Sequence, residues 1–245
     1  MTKIKKAFGF TLAEVLITLA VIGVVAAMTI PTMVANYQKT QYVTQLKKSY
    51  TVIQQALKQI MASEGVTQFD QTGLFDGTDY QNAARNDKID EIIRTNFKVV
   101  KSCKNGDDSC QVAYKFINQG SGGNDFGSNY YKFYTTDGTL FGLNLGTSCP
   151  PNLLKTTKIK AVCGYVKVDI NGVKNPNTMG RDFFEFLIGH DGTLYGTASH
   201  EDADYNNNQQ MYWGTGFFPC SNDTNTSFGY GCAGRIIEEG WQMNY

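Results

Sequence analysis

The chain begins with a predominantly apolar run from Ala7 to Ile30 that holds one carboxylate, Glu14, and follows three lysines, Lys3, Lys5 and Lys6. A run of that length spans a bilayer as a helix. A carboxylate in hydrocarbon costs at least about 2.5 kcal/mol unless it finds a partner. A segment that only anchors gains nothing from such a residue, whereas one that must find a neighbour in the membrane does. The lysines place the start in the cytoplasm by the positive-inside rule. No second apolar stretch is long enough to return the chain, so the remainder is expected outside. A secretory signal and an uncleaved anchor share parts of this pattern. A signal peptide, however, is cut after its apolar core, where Ala26-Ala27-Met28 offers only a weak site.

Lys5, Lys6, Gly9, Phe10, Thr11, Leu12, Glu14 and Pro31 together resemble the processing and methylation signal of type IV pilins and of the pseudopilins of type II secretion. The resemblance covers about the first eighth of the chain. It implies that a prepilin peptidase cuts between Gly9 and Phe10 and methylates Phe10 as the new N-terminus. It implies that Glu14 pairs with the N-terminal amine of an adjacent subunit during assembly. The family also carries a proline at the place of Pro31, where the helix loosens on entry into a filament. A simple kink at the membrane surface explains Pro31 equally well, since proline removes a backbone donor and crowds the carbonyl of Ala27.

Past Pro31 the helical period continues. Val43, Leu46, Tyr50, Ile53, Leu57 and Ile60 recur at steps of three and four and form one apolar stripe. Lys39, Lys47, Lys48, Gln54 and Lys58 lie mostly off it, facing solvent or other subunits, and Gly65 follows as a C-terminal cap. A helix from Thr11 to about Ser63 is ~80 Å long. The expected organisation is a leader at 1–9, a helix at 10–64 (membrane-spanning over 10–30, an amphipathic stalk over 31–64) and an outer domain at 65–245.

The outer domain is rich in Gly, Asn, Asp, Tyr and Phe, the mix of short strands and tight turns. Asp79–Phe97 reads as a helix through Ile89, Ile92 and Ile93. Strands are expected at Gln111–Ile117, Tyr130–Thr135, Leu140–Leu145, Val162–Ile170, Phe183–Ile188 and Leu194–Thr197. Asp137-Gly138 and Asp191-Gly192 supply hairpin turns. Asp-Gly-Thr-Leu-aromatic-Gly occurs twice, at Asp137–Gly142 and Asp191–Gly196; two hairpins with the same turn chemistry account for it more simply than an internal repeat. The fold class is α+β, a long N-terminal helix on an antiparallel sheet. All six cysteines follow the apolar run. An even number on the outer side points to disulfides in an oxidising compartment. Nearest-neighbour pairing gives Cys103–Cys110 around Asn105-Gly106, Cys149–Cys163 and Cys220–Cys232. A zinc site competes, but there is no Cys-x-x-Cys pair and there are two histidines.

Twenty-two basic and twenty-two acidic residues balance, which argues against a nucleic-acid-binding face. No nucleophile elbow, phosphate loop or paired-histidine zinc helix occurs, so no enzyme is indicated. Asp169 and Asn171, with Asp182 and Asp191 near in sequence, offer the oxygen ligands calcium takes. Major pseudopilins bind calcium in a C-terminal loop, but the bidentate glutamate of an EF-hand is missing and turn-forming residues explain the loop more simply. Ser199–Asp204, with His200, reads as a hydrated loop, and His190 as a surface residue. Asn222 and Asn225 open glycosylation-type triplets, to which little weight is given beside a prepilin-like start. Tyr212, Trp213, Phe217 and Phe218 are packing residues or a binding surface. Val168–Gly172, Pro176-Asn177 and Gly180–Phe186, and the end Cys232–Ile237 with Gly240-Trp241, also resemble large pilin-like proteins. The resemblance therefore implies a structural subunit of a type IV pilus-like or pseudopilus filament, or else a minor pilin that binds a ligand at the tip. Its expected partners are the prepilin peptidase, other subunits, the membrane assembly platform and the inner membrane. No cofactor is expected beyond the calcium candidate.

Overall fold

A computed structural model describes residues 9–75, 83–104, 107–118, 120–123, 130–149, 161–197, 220 and 228–245. The chain forms two compact units, Met1–Gln41 and Tyr42–Tyr245. Helix α1 (Leu12–Glu64) contributes to both.

In the first unit the side chains of α1 meet no core. Leu12, Val15, Leu16, Ile17, Leu19, Val21, Ile22, Val24 and Val25 are all exposed. This part of α1 is long and apolar enough to cross a membrane. Its hydroxyls are already satisfied: Thr18 donates to the Val15 carbonyl at 2.9 Å, and Thr29 to Val25 at 2.9 Å. Such internal bonding is what a polar group in hydrocarbon requires. Pro31 lies inside the helix without ending it.

In the second unit the same helix changes character. Val43, Leu46, Ser49, Ile53, Ala56, Leu57, Ile60 and Met61 are buried, one face at helical spacing. The helix stops in a Schellman turn. Gly65 sits at φ 67°, its N–H donating to Ala62 at 3.2 Å while that of Val66 reaches Met61 at 3.0 Å; glycine takes this left-handed geometry without a Cβ clash.

Strands β1 (Val99–Cys103), β4 (Tyr131–Thr135), β5 (Leu140–Leu145), β6 (Val162–Asp169), β7 (Phe183–Gly189) and β8 (Leu194–Gly196) form one sheet in that order, antiparallel throughout. A small hairpin pairs β2 (Tyr114–Lys115) with β3 (Ser121–Gly123). Alternation divides the sheet's residues between two faces. Tyr131, Phe133, Phe141, Leu143, Val166, Val168, Phe184, Phe186 and Ile188 share a core with α1, with Ile89 and Ile93 of α2 (Ala83–Asn96) and with Ala233 and Ile236 of α3 (Cys232–Glu238). On the other face Tyr130, Leu140 and Phe183 pack with Val112, Tyr114 and Met179. Every residue of β7 is therefore buried, which is why that strand is apolar on both faces, apart from Glu185, instead of alternating.

Both Asp-Gly hairpins dock on α1. Lys48 forms an ion pair with Asp137 at 2.6 Å. Lys58 donates to the Asp191 carbonyl at 2.6 Å. Gln54 brackets the second turn, donating to the Gly192 carbonyl at 2.9 Å and accepting from the Leu194 N–H at 2.8 Å. These three polar residues thus hold the sheet's turns and do not simply face away from it.

Candidate functional site

The N-terminal segment is built around the start of α1. Among the described residues nothing lies within 4 Å of where a Gly9 Cβ would stand, and Phe10 is 88% exposed, so none of them covers the Gly9–Phe10 bond. Thr11 precedes the first helical residue and forms a reciprocal capping box with Glu14. The Glu14 N–H donates to the Thr11 hydroxyl oxygen at 3.2 Å, while Glu14 Oε2 accepts the Thr11 N–H and O–H, each at 2.8 Å. This arrangement satisfies donors that the first turn leaves open. Glu14 therefore has a partner within its own chain, and cutting before Phe10 would place a new amine one residue from that cap. The capping role is legible as Thr-x-x-Glu ahead of an apolar run, a signal that the resemblance alone passes over.

The proposed oxygen ligands fall in two places. Asp169 ends β6 and Asp182 immediately precedes β7, so the pairing of Asp169 with Phe183 brings the two carboxyls to one end of the sheet. Both are fully buried. Asn171 joins them, donating from Nδ2 to Asp182 Oδ2 at 3.0 Å and from its backbone N–H to Asp169 Oδ1 at 3.3 Å. Asp182 also accepts the N–H of Asn177 at 2.9 Å and that of Thr178. It thereby organises the whole Asn171–Arg181 connection. Burial raises the pKa of both carboxyls; for Asp169, burial and then the charge of Asp182 push it up to about 8. Asp191 is elsewhere: it follows β7 at the opposite end of the strand and accepts from the Thr193 N–H at 2.9 Å and hydroxyl at 2.6 Å. Burial raises its pKa, but the Thr193 bonds outweigh that and lower it overall. A strand's length separates it from the other three residues, so the four do not form one ligand set. Among the described residues no group of three or more His, Cys, Asp and Glu side chains is placed to hold a metal.

The cysteines meet as Cys103–Cys110, Cys149–Cys163 and Cys220–Cys232, with Cα separations of 6.0, 4.1 and 4.9 Å. His190 is half-buried, its Nε2 3.2 Å from Asp70 Oδ1. Asn105-Gly106, Ser199–Asp204, Tyr212, Trp213, Phe217, Phe218, Asn222 and Asn225 lie outside the described residues.

One feature of the buried sheet face has no counterpart in the expectations: a cross-strand pair, Lys167 of β6 and Glu185 of β7, 3.9 Å apart and almost wholly buried. Its signal in the sequence is an acid within Phe183-Phe184-Glu185-Phe186.

Residues 4–30 match the family model of the prokaryotic N-terminal methylation motif. No curated protein and no solved structure matches the chain. With an apolar helix long enough to cross a membrane, a capped Glu14 and an exposed Phe10, the chain carries the prepilin-type processing and methylation signal of type IV pilins and pseudopilins.

Proposed function

We propose that this protein is a structural subunit of a type IV pilus-like or type II secretion pseudopilus filament. In this reading it is inserted in the inner membrane with its start in the cytoplasm and Tyr42–Tyr245 outside. A prepilin peptidase removes residues 1–9 and methylates Phe10. The assembly platform then lifts the subunit out of the bilayer, and its apolar half-helix passes from lipid to the helices of other subunits. The observation that carries the reading is the division of α1. One half buries its apolar face within its own chain, and the other leaves its apolar side chains exposed among the described residues. In the bilayer lipid already keeps that surface from water, so helix–helix association there rests on packing; once the segment has left the bilayer, only neighbouring helices can keep it from water, at about 25 cal/mol per Å², and a polymer gives each helix neighbours on every side.

The test is recovery of the protein from its own cells in a sheared, sedimentable filament fraction, with mass spectrometry of its N-terminus. The expected start is N-methylated Phe10. A protein that retains Met1, or that is processed but stays wholly in the membrane fraction while filaments are shed without it, overturns the reading.

A further inference from the structure

The connection between β6 and β7 closes over three side chains, Asp169, Asn171 and Asp182. Both carboxyls are fully buried. Asp169 stands opposite Leu140 of β5 and Phe183 of β7, so its cross-strand neighbours are apolar. Asn171 joins the two acids, its backbone N–H donating to Asp169 Oδ1 and its Nδ2 to Asp182 Oδ2. Two oxygens of this cradle, Asp169 Oδ2 and Asn171 Oδ1, are shut off from solvent and receive no hydrogen bond. With Asp169 ionised both are acceptors and nothing serves either. With a proton on Asp169 Oδ2 the first becomes a donor and the second an acceptor for it, so one hydrogen satisfies both. Among the described residues no ion pair forms at Asp169 or Asp182, and two carboxyls side by side in a buried site do not both ionise readily.

We propose that a single proton, held on Asp169 Oδ2 and donated to Asn171 Oδ1, latches the connection between β6 and β7, and that its loss at alkaline pH loosens that connection. Asp182 is the acceptor that holds the N–H groups of Asn177 and Thr178, so repulsion between two charged carboxylates acts directly on the backbone of the connection. The exposed Val173 lies on the same stretch, and the surface it belongs to is the part that would move. The groups around the cradle do not supply the missing charge. Tyr134 of β4 faces Asp169, and burial and then the Asp169 charge raise its pKa. Tyr42 of α1 feels Asp182, and burial and then the Asp182 charge raise its pKa against the pull of Arg181, which is itself exposed. Both phenols therefore titrate above the window of the latch. The N–H groups of Asn171 and Gly172 favour a charged Asp169, but burial and the Asp182 charge outweigh them and push it up to about 8. An acid raised in this way contributes stability that is complete below its unfolded value and is lost as the pH rises through about 8. The inference rests on this cradle alone and is independent of the filament reading.

The test uses the full chain in detergent micelles, labelled with carbon-13 at aspartate Cγ and titrated by NMR from pH 5 to pH 9.5. The Asp169 resonance is expected to move with a midpoint near pH 8. Urea unfolding over the same range compares wild type with Asp169→Asn, which puts an N–H where the proton stands and cannot ionise. Relative to the variant, the folding constant of the wild type should fall about tenfold per pH unit between pH 5 and pH 7, the signature of one proton, and level off above about pH 9. Hydrogen-exchange protection of the Asn177 and Thr178 amides should fall with the same midpoint in wild type and hold in Asp169→Asn. If the variant fails to fold, the wild-type titration and amide protection still decide. An Asp169 resonance already at its ionised position at pH 6 overturns the proposal. A titration that leaves both amides equally protected above and below its midpoint shows a proton without a latch and overturns it too.

Discussion

At the scale of a residue, Glu14 has two roles that draw on the same carboxylate. Within its own chain it closes the capping box with Thr11, a contact worth about 1 kcal/mol that glutamine reproduces. In a filament it would meet the Phe10 amine of another subunit in a medium of low dielectric, where charge and not hydrogen bonding decides the energy. Glu14→Gln separates the roles. It keeps the cap and lightens the cost of membrane insertion, yet it leaves a neighbour's amine without a counter-charge, which is worse than having neither charge. We expect normal membrane levels and normal cleavage after Gly9, with filament yield reduced at least tenfold when no wild-type copy is present to co-assemble. Wild-type filament yield from Glu14→Gln, with loss confined to Glu14→Leu, would show that capping is the whole of its task.

At the scale of an element, α1 contains a test of which contacts hold the outer unit. Leu46 is fully buried against the sheet, and Val21 is exposed. Leu46→Ala should lower the stability of the unit by about 2–5 kcal/mol, whereas Val21→Ala should change it by less than about 0.5 kcal/mol. Urea unfolding of the full chain in detergent measures both, and equal effects would mean that the two halves of the helix are not energetically distinct. The buried stripe of α1, with Val43, Leu46, Ile53, Leu57 and Ile60, was legible in the sequence because it is written in local periodicity, and so were the hairpins β4–β5 and β7–β8, where Asp-Gly turns separate short apolar runs. The strand expected at Gln111–Ile117 came out shorter. Its alternation is real, since Val112 and Tyr114 share one core. Its backbone bonds, however, go to the distant Asn177–Met179 stretch, with Lys115 donating to Asn177 at 2.9 Å and Met179 to Lys115 at 2.8 Å. Only Tyr114–Lys115 keeps a strand partner, and no local pattern announces that. The edge strand β1 was not expected because Val99-Val100-Lys101-Ser102 shows no alternation, its burial being uneven. Helix α3 was also missed. It has seven residues and includes Gly234, and it stands where it does because Gly234 packs on Gly196, so closely that a Cβ on Gly196 would lie 2.2 Å from the Gly234 Cα. That contact joins residues far apart in sequence. The oxygens of Asp169 and Asn171 belong to the same class: their types were readable, but their lack of partners, and the distance of Asp191 from them, were not.

At the scale of the whole molecule, the second unit carries its own covalent ties, three cysteine pairs closing loops of 7, 14 and 12 residues, each worth roughly 2–4 kcal/mol if bridged. Between its two packed faces it buries a charge problem at Lys167 and Glu185. Burial pushes the Glu185 carboxyl up to about 7 from an ordinary 4.5, and the nearby Lys167 ammonium pulls the other way without overcoming it. The geometry agrees, because 3.9 Å is the outer limit of an ion pair, and Lys167 has another favourable neighbour in the Tyr130 ring, its Nζ 4.6 Å from the centroid. Tyr130, Tyr165 and Tyr230 stand around the same pair, and burial raises the pKa of each above the ordinary phenol value. The sign follows from linkage. An acid whose folded pKa is raised holds its proton in the folded chain after the unfolded chain has released its own. The stability it contributes is therefore complete below about pH 4.5 and is lost as the pH rises through about 7. The full chain in detergent, unfolded by urea, should thus lose on the order of 3 kcal/mol from this group between pH 4.5 and pH 7.5. Glu185→Gln, which cannot ionise, should remove that share of the slope and be relatively more stable than wild type at the upper end. If Glu185 is instead held ionised by Lys167, the variant leaves a buried ammonium without its partner. It would then be less stable than wild type at pH 7.5 by 3–5 kcal/mol, roughly the cost of breaking a buried pair, and the assignment of a neutral carboxyl at the centre of this sheet would be wrong.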